Sequence, residues 1–310
     1  MKNFCFMLIV ILLAFTKLYA QPTAVGATRP DKVLTRQVVE ALKGFKGEVG
    51  VYIRNLRTGR TVEINADSLF PTASMVKVPI LCGVFDKLEK GELKYDQVLT
   101  YRDSLHYDDG VVGSLRDSAQ IPLSYVLMLM ETLSDNTGSL WMQALAGGGT
   151  SINQWMERQG FQNTRVNSRT PGRQEAQKTY GWGQTTPREM AELLVMIRAG
   201  KAVSPAASER MYRLLGRQFW DAQGLSQIPP TIRVITKSGA VNQAKSEAML
   251  VHAPHGEYVF CITTKNQTDE RWVPDNEGYL LLRKISRLIW NHYEPKYDWQ
   301  PLPESSKWQY

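Results

Sequence analysis

Phe70-Pro71-Thr72-Ala73-Ser74-Met75-Val76-Lys77-Val78-Pro79-Ile80-Leu81-Cys82-Gly83 is where the chain changes its periodicity. Upstream, residues 48–54 read as a strand, 55–60 as a turn centred on Gly59 and 61–64 as a second strand, a hairpin preceded by helical spacing over 34–42. Downstream, apolar residues recur at helical intervals over 74–89, 122–133, 136–145, 152–158 and 187–198. Strand character returns at 231–236, 247–252 and 258–264, and 277–292 reads as a closing amphipathic helix. Strands from both ends of the chain are therefore expected to share one antiparallel sheet, with the helical middle inserted as a lobe and a cleft at the seam. The segment 294–310, rich in Pro and Trp, shows no periodicity and is expected to lie extended on the surface.

The same stretch carries chemistry. Ser74 and Lys77 stand three residues apart, hence on one face of a helix, where an amine can reach a hydroxyl. A lysine desolvated there has a lowered pKa and can take the hydroxyl proton. Helix-start amides near Ser74 also favour a developing oxyanion. Ser-x-x-Lys alone is a common accident, but two further strings follow in order: Ser134-Asp135-Asn136 in a break between helices and Lys237-Ser238-Gly239 closing a strand. Together they supply a nucleophile, a base, a proton relay and a cation with a hydroxyl donor for an anionic substrate group.

From about Val38 to about His292 the chain resembles the class A β-lactamase and penicillin-recognising serine hydrolase family, whose set of strings these are. Phe70-Pro71, Leu81-Cys82-Gly83, Thr185-Thr186-Pro187 and Thr263-Thr264 add to the likeness. The resemblance implies an α/β (α+β) fold, with an antiparallel five-stranded sheet flanked by helices plus an inserted all-α lobe. The expected parts are a signal peptide (1–20), a sheet lobe (21–70 and 215–293), a helical lobe (71–214) and a tail (294–310). It implies Ser74 as nucleophile, Lys77 as its activator and Ser134 as the proton donor to the leaving nitrogen. Asn136 would hold the substrate's amide side chain, Lys237 and Ser238 its carboxylate, and the backbone N–H groups of Ser74 and Ala240 the oxyanion.

The chain departs from that family between Thr164 and Thr186. Counting without gaps from Ser134 or Pro187, the glutamate that activates the deacylating water falls on Thr170, which cannot act as a base. Gln174 replaces an asparagine that helps hold the water, and Ser168 and Gly183 replace an Arg and Asp that pin the loop's neck. Glu175 is the nearest carboxylate, read first as an exposed loop acid, and Arg169 and Arg173 as solvated loop charges. The expected activity is hydrolysis of the β-lactam amide through acylation of Ser74. The missing glutamate keeps open a D-alanyl-D-alanine carboxypeptidase or transpeptidase, or a penicillin-binding sensor that stays acylated. Expected partners are a β-lactam or acyl-D-Ala peptide, with peptidoglycan as a wider candidate, and no cofactor or metal.

Composition limits the alternatives. Residues 1–20 have a charged start, a short apolar core and Ala20 at a plausible cut site, the pattern of a secretory signal, so a secreted or periplasmic chain without stable membrane insertion is expected. Losing Lys2 and Lys17 with it lowers the formal charge from +7 to +5, spread without a dense basic run, which argues against nucleic acid. Cys82 and Cys261 lie in apolar surroundings and read as buried free thiols. His252-Ala253-Pro254-His255 reads as a hairpin turn rather than a metal site, and with only His106 and His292 besides, a Ser-His-Asp triad has little support. The resemblance implies His106 and Tyr107 near the cleft mouth, where the family often has an aromatic, and helical spacing puts Trp141, Met142 and Trp155 in the core.

Overall fold

The computed structural model describes residues 28–303; the expected signal at 1–20 and the last residues, 304–310, lie outside the described residues. In chain order, β1 (Arg29–Pro30) leads into α1 (Lys32–Leu42), the hairpin β2 (Glu48–Asn55) and β3 (Arg60–Ile64), and the short β4 (Phe70–Pro71). A 3-10 turn, Ala73–Val76, opens α2 (Lys77–Glu89), after which β5 (Val98–Thr100) and β6 (Gln120–Pro122) form a ribbon. Then come α3 (Leu123–Thr132), α4 (Asn136–Leu145), α5 (Gly148–Arg158), β7 (Arg165–Val166), α6 (Gln174–Tyr180), β8 (Gly183–Thr185), α7 (Pro187–Arg198) and α8 (Pro205–Leu215). β9 (Val234–Val241), β10 (Ala244–Val251), β11 (Tyr258–Lys265) and α9 (Glu277–Tyr293) complete the fold.

The main sheet runs β1-β3-β2-β11-β10-β9. Its five long strands are antiparallel as expected, and β1 adds a two-residue parallel edge beside β3. β2 pairs with β11 from Asn55↔Tyr258 to Glu48↔Lys265, which ties the two ends of the chain together. Successive side chains alternate between faces. Val51, Ile53, Met249, Phe260 and Ile262 meet α1 and α9 through Leu34, Val38, Ile285, Ile289 and Trp290. Tyr52, Ala248, Leu250, Val259 and Cys261 face the larger core with Met190, Leu194 and Met211. Each such side chain contributes about 1.5–3 kcal/mol on burial.

Two local readings change. The strand expected over 231–236 begins at Val234 and continues to Val241, because all eight residues pair with β10, so Lys237-Ser238-Gly239 lie inside a strand rather than at its end. Residues 71–214 are not purely helical: β8 pairs with both β4 and β7, lashing the loop to the segment ahead of Ser74, and α7 packs on the sheet against β2, β10 and β11. The tail beyond α9 runs without α-helix or strand and largely exposed, as expected, and is tethered at two points. Glu294 is buried and accepts the His255 backbone N–H, and Arg287 donates to Trp299 O.

Candidate active site

Ser74 sits in the 3-10 turn directly after Ala73, whose φ of 44° is left-handed, a conformation that costs a non-glycine residue about 1–2 kcal/mol. The turn is held by Thr72 N donating to Gly183 O at 2.9 Å and Met75 N donating to Thr72 O at 3.0 Å. Lys77 is the first residue of α2 and is fully buried. Its Nζ lies 2.9 Å from Ser74 Oγ and donates to Asn136 Oδ1, also at 2.9 Å.

Ser134 bridges α3 and α4 with φ 60°, again left-handed, and the break lets its hydroxyl face the sheet rather than the helix surface. Asp135 makes the break permanent. Its Oδ1 caps α4 by accepting from Gly138 N at 2.7 Å, and its Oδ2 accepts from Val112 N at 2.9 Å. Asp135→Ala should cost about 2–3 kcal/mol in urea unfolding, the sum of a lost cap and a stranded buried N–H; a loss below about 0.5 kcal/mol would contradict this role.

The sheet brings the third string. Lys237, buried, has its Nζ 3.2 Å from Ser134 Oγ and 3.2 Å from Ser238 O. Gly239 is needed for the fit, since a Cβ there would lie 2.5 Å from Thr72 O and 2.9 Å from Ser74 N. Ser74, Asn136 and Ala240 thus line the walls of two adjoining cavities of about 720 and 740 Å³. Ser134 and Ser238 line the first, which reaches Trp220, and Tyr107, Tyr180 and Trp182 line the second; Trp272 borders both.

Burial, reinforced by repulsion from Lys237, lowers the Lys77 pKa to about 7. Burial also lowers Lys237, to about 8, against the attraction of Glu131 and Glu247. Near neutral pH the first lysine can therefore hold a free amine while the second stays charged. Ser74 and Lys77 are placed to exchange a proton, and Lys237, beside the Ser134 hydroxyl, is a cation that can hold an anion.

The loop is closed differently from the resembled family. Arg173, read as a solvated charge, is half-buried and donates to Asn167 Oδ1 at 3.0 Å and Gln184 Oε1 at 2.6 Å. Ser168 exchanges hydrogen bonds with Gln143 at 2.6 and 2.9 Å. Thr170 turns inward: its hydroxyl donates to Ser168 O at 2.9 Å and packs on α5, where a Cβ on Gly149 would stand only 1.8 Å away. It lines neither cavity beside Ser74, and nor do Gln174 or Glu175. Gln174 is exposed, and Glu175 is exposed and ion-paired with Lys178 at 2.7 Å. Trp182 fills the loop side instead. Its ring centroid is 5.9 Å from Lys77 Nζ and meets Tyr107 edge-on at 4.9 Å.

Sequence reasoning missed Trp182, Asp108 and Glu131. Asp108 accepts from Asn136 Nδ2 at 2.6 Å and so fixes the amide with its oxygen toward Lys77; only its place one residue after Tyr107 hinted at it. His106 stays exposed beside Asp109. His252 turns to Tyr212 and Glu257, and His255 to Glu294, so the two diverge. Among the described residues no group of His, Cys, Asp and Glu is placed to hold a metal ion.

Comparisons agree with this geometry. VEB-1, a β-lactamase of Pseudomonas aeruginosa, is 22% identical over 302 residues, covering 93% of this chain and 97% of its own. The solved structure of PBP-A superposes with a TM-score of 0.78 at 26% identity, covering 88% of this chain and 100% of PBP-A. A glutamate-substituted variant of PBP-A, solved as its acyl-enzyme complex with penicillin G, superposes at 0.77 with 26% identity, covering 87% and 99%. Residues 32–293 match the profile of the beta-lactamase enzyme family, and the chain belongs to that family.

Proposed function

We propose that the chain is a serine hydrolase of class A β-lactamase type that is acylated at Ser74 by β-lactams, opens their amide and releases the product slowly. The observation that carries this is the pairing of a complete acylation set with a loop that offers no carboxylate to the nucleophile: Lys77 is 2.9 Å from Ser74, while Thr170 faces α5 and Glu175 is exposed. In the proposed step Ser74 Oγ attacks the lactam carbonyl as Lys77 takes its proton. The backbone N–H groups of Ser74 and Ala240 stabilise the oxyanion, and the C–N bond breaks as Ser134 passes a proton to the nitrogen. Asn136 orients the acyl side chain, and Lys237 and Ser238 bind the substrate carboxylate. Water then cleaves the ester with Lys77 as the remaining base.

The fate of Thr170 and Glu175 equally favours a second reading, a D-alanyl-D-alanine carboxypeptidase or transpeptidase, or a sensor, acting on acyl-D-Ala peptides of peptidoglycan. The acyl-enzyme of the PBP-A variant supports acylation by penicillin as the common step. The proposed place of work is outside the cytoplasm, on the strength of residues 1–20; among the described residues no helix is long and apolar enough to cross a membrane.

Mixing the protein with penicillin G and a chromogenic cephalosporin, and following turnover and intact mass together, tests these readings. The expected result is a lasting adduct with turnover well below the ~10 s⁻¹ typical of enzymes. Rapid turnover without an accumulating adduct would remove the slow-release element. No adduct and no turnover would remove the reading altogether.

A further inference from the structure

Glu131, three residues before Ser134, is fully buried, and neither carboxyl oxygen has a hydrogen-bond partner among the described residues. Buried polar groups are as a rule hydrogen-bonded, because leaving one unpaired is costly. Buried acids elsewhere in the fold obey the rule: Asp135 accepts from Gly138 N at 2.7 Å and Val112 N at 2.9 Å, and Glu247 from Gly224 N at 2.7 Å and Thr236 Oγ1 at 3.1 Å. Glu131 therefore has no architectural bond to explain it. Two cations act on it: Lys237 from β9 and Lys77 from α2 both interact with it electrostatically. Lys77 further feels Asp108 and Asp135, and Lys237 feels Glu247.

The proposed chemistry asks opposite things of two lysines that share one dry region. Lys77 must be able to lose its proton, and Lys237 must keep it. Left alone, two buried ammonium groups repel and each is desolvated, so both would tend to discharge. Glu131 acts on both, from a buried place three residues before Ser134, whose hydroxyl contacts Lys237. We propose that Glu131 is a positioning residue that holds the proton inventory of the Lys77–Lys237 pair. It does not touch substrate. The inference rests on the acylation reading above.

The consequence is a specific pattern in the pH profile of acylation by penicillin G, followed by intact mass. Removing the Glu131 charge takes attraction from both ammonium forms, so Glu131→Gln should move the acid limb, set by Lys77, and the alkaline limb, set by Lys237, down by about 0.5–1 pH unit each. Glu131→Met is the companion variant, since it removes the charge without leaving an unpaired amide, and it should reproduce the Glu131→Gln profile. A merely structural role would scale the rate at every pH and leave both limbs in place, and profiles of that form for folded variants would overturn the proposal.

Titration of the lysine side-chain resonances of the unmodified protein gives an arm independent of β-lactams. Coupling to Glu131 predicts two-step curves for Lys77 and Lys237, because interacting groups titrate as a set. Simple one-step curves for both would overturn the proposal even if neither Glu131 variant folds. If no penicillin adduct forms at any pH while the two-step curves are present and move to lower pH in a folded Glu131→Gln variant, the functional reading fails and the coupling of Glu131 to the pair stands.

Discussion

Ser74→Ala is expected to abolish the penicillin adduct and to lower acylation at least about 10³-fold, since among the described residues no other side chain is placed to replace the nucleophile. The Ser134 hydroxyl lies next to Lys237 Nζ, and Cys82 and Cys261 are buried thiols whose pKa burial drives upward, so none presents an activated group at the position of Ser74 Oγ. The fold should survive, because Ser74 is half-buried and its hydroxyl contributes one hydrogen bond, to Lys77. Intact mass with circular dichroism as the folding control checks this. A persisting adduct in a folded variant would place the nucleophile elsewhere.

Lys77→Met should separate activity from stability. Acylation falls by about 10²–10⁴-fold, the usual contribution of a positioned base. Stability moves the other way in acid. The folded-state pKa of Lys77 is depressed from 10.5 to about 7, so the unfolded chain binds the extra proton between those values. The burial cost is accordingly full below about pH 7 and relieved as pH rises toward 10.5. At pH 5.5 Glu131, raised to about 7 by burial, is protonated and does not miss its partner. The methionine variant should therefore melt about 3 °C or more above the parent at pH 5.5. That gain should shrink toward pH 9, where Lys77 is already neutral in the folded parent and its burial cost is largely relieved. An unchanged or lower melting temperature at pH 5.5 would mean that Lys77 is not held against its solvation.

The three strings were legible because the chemistry demands residue types at fixed places, and spacing along a helix survives into space. The register of β9 was not: Ser238 and Gly239 have poor strand propensity, and only the ladder to β10, which comes later in the sequence, keeps them extended. α8 was overlooked although Ser204 caps it and Pro205 opens it, since its apolar stripe is short. Glu131 was illegible in a stronger sense. A glutamate in a helix reads as a solvent-facing residue, and nothing local reveals that α2 and β9 close over it. Thr170 shows the opposite limit: the count found the right loop, but which way its side chain turns depends on the space beside Gly149.

The pairing of β2 with β11 also bears on how the molecule is made. A ribosome delivers Ser74 and Lys77 early, yet the central strand of the sheet waits for residues 258–265 before it gains its second neighbour, and Lys237 arrives only shortly before them. An unfinished or clipped chain would carry a serine beside its amine with no anchoring cation across the cleft. The proposed anion clamp therefore needs strands from the end of the chain as well as the helix near its start.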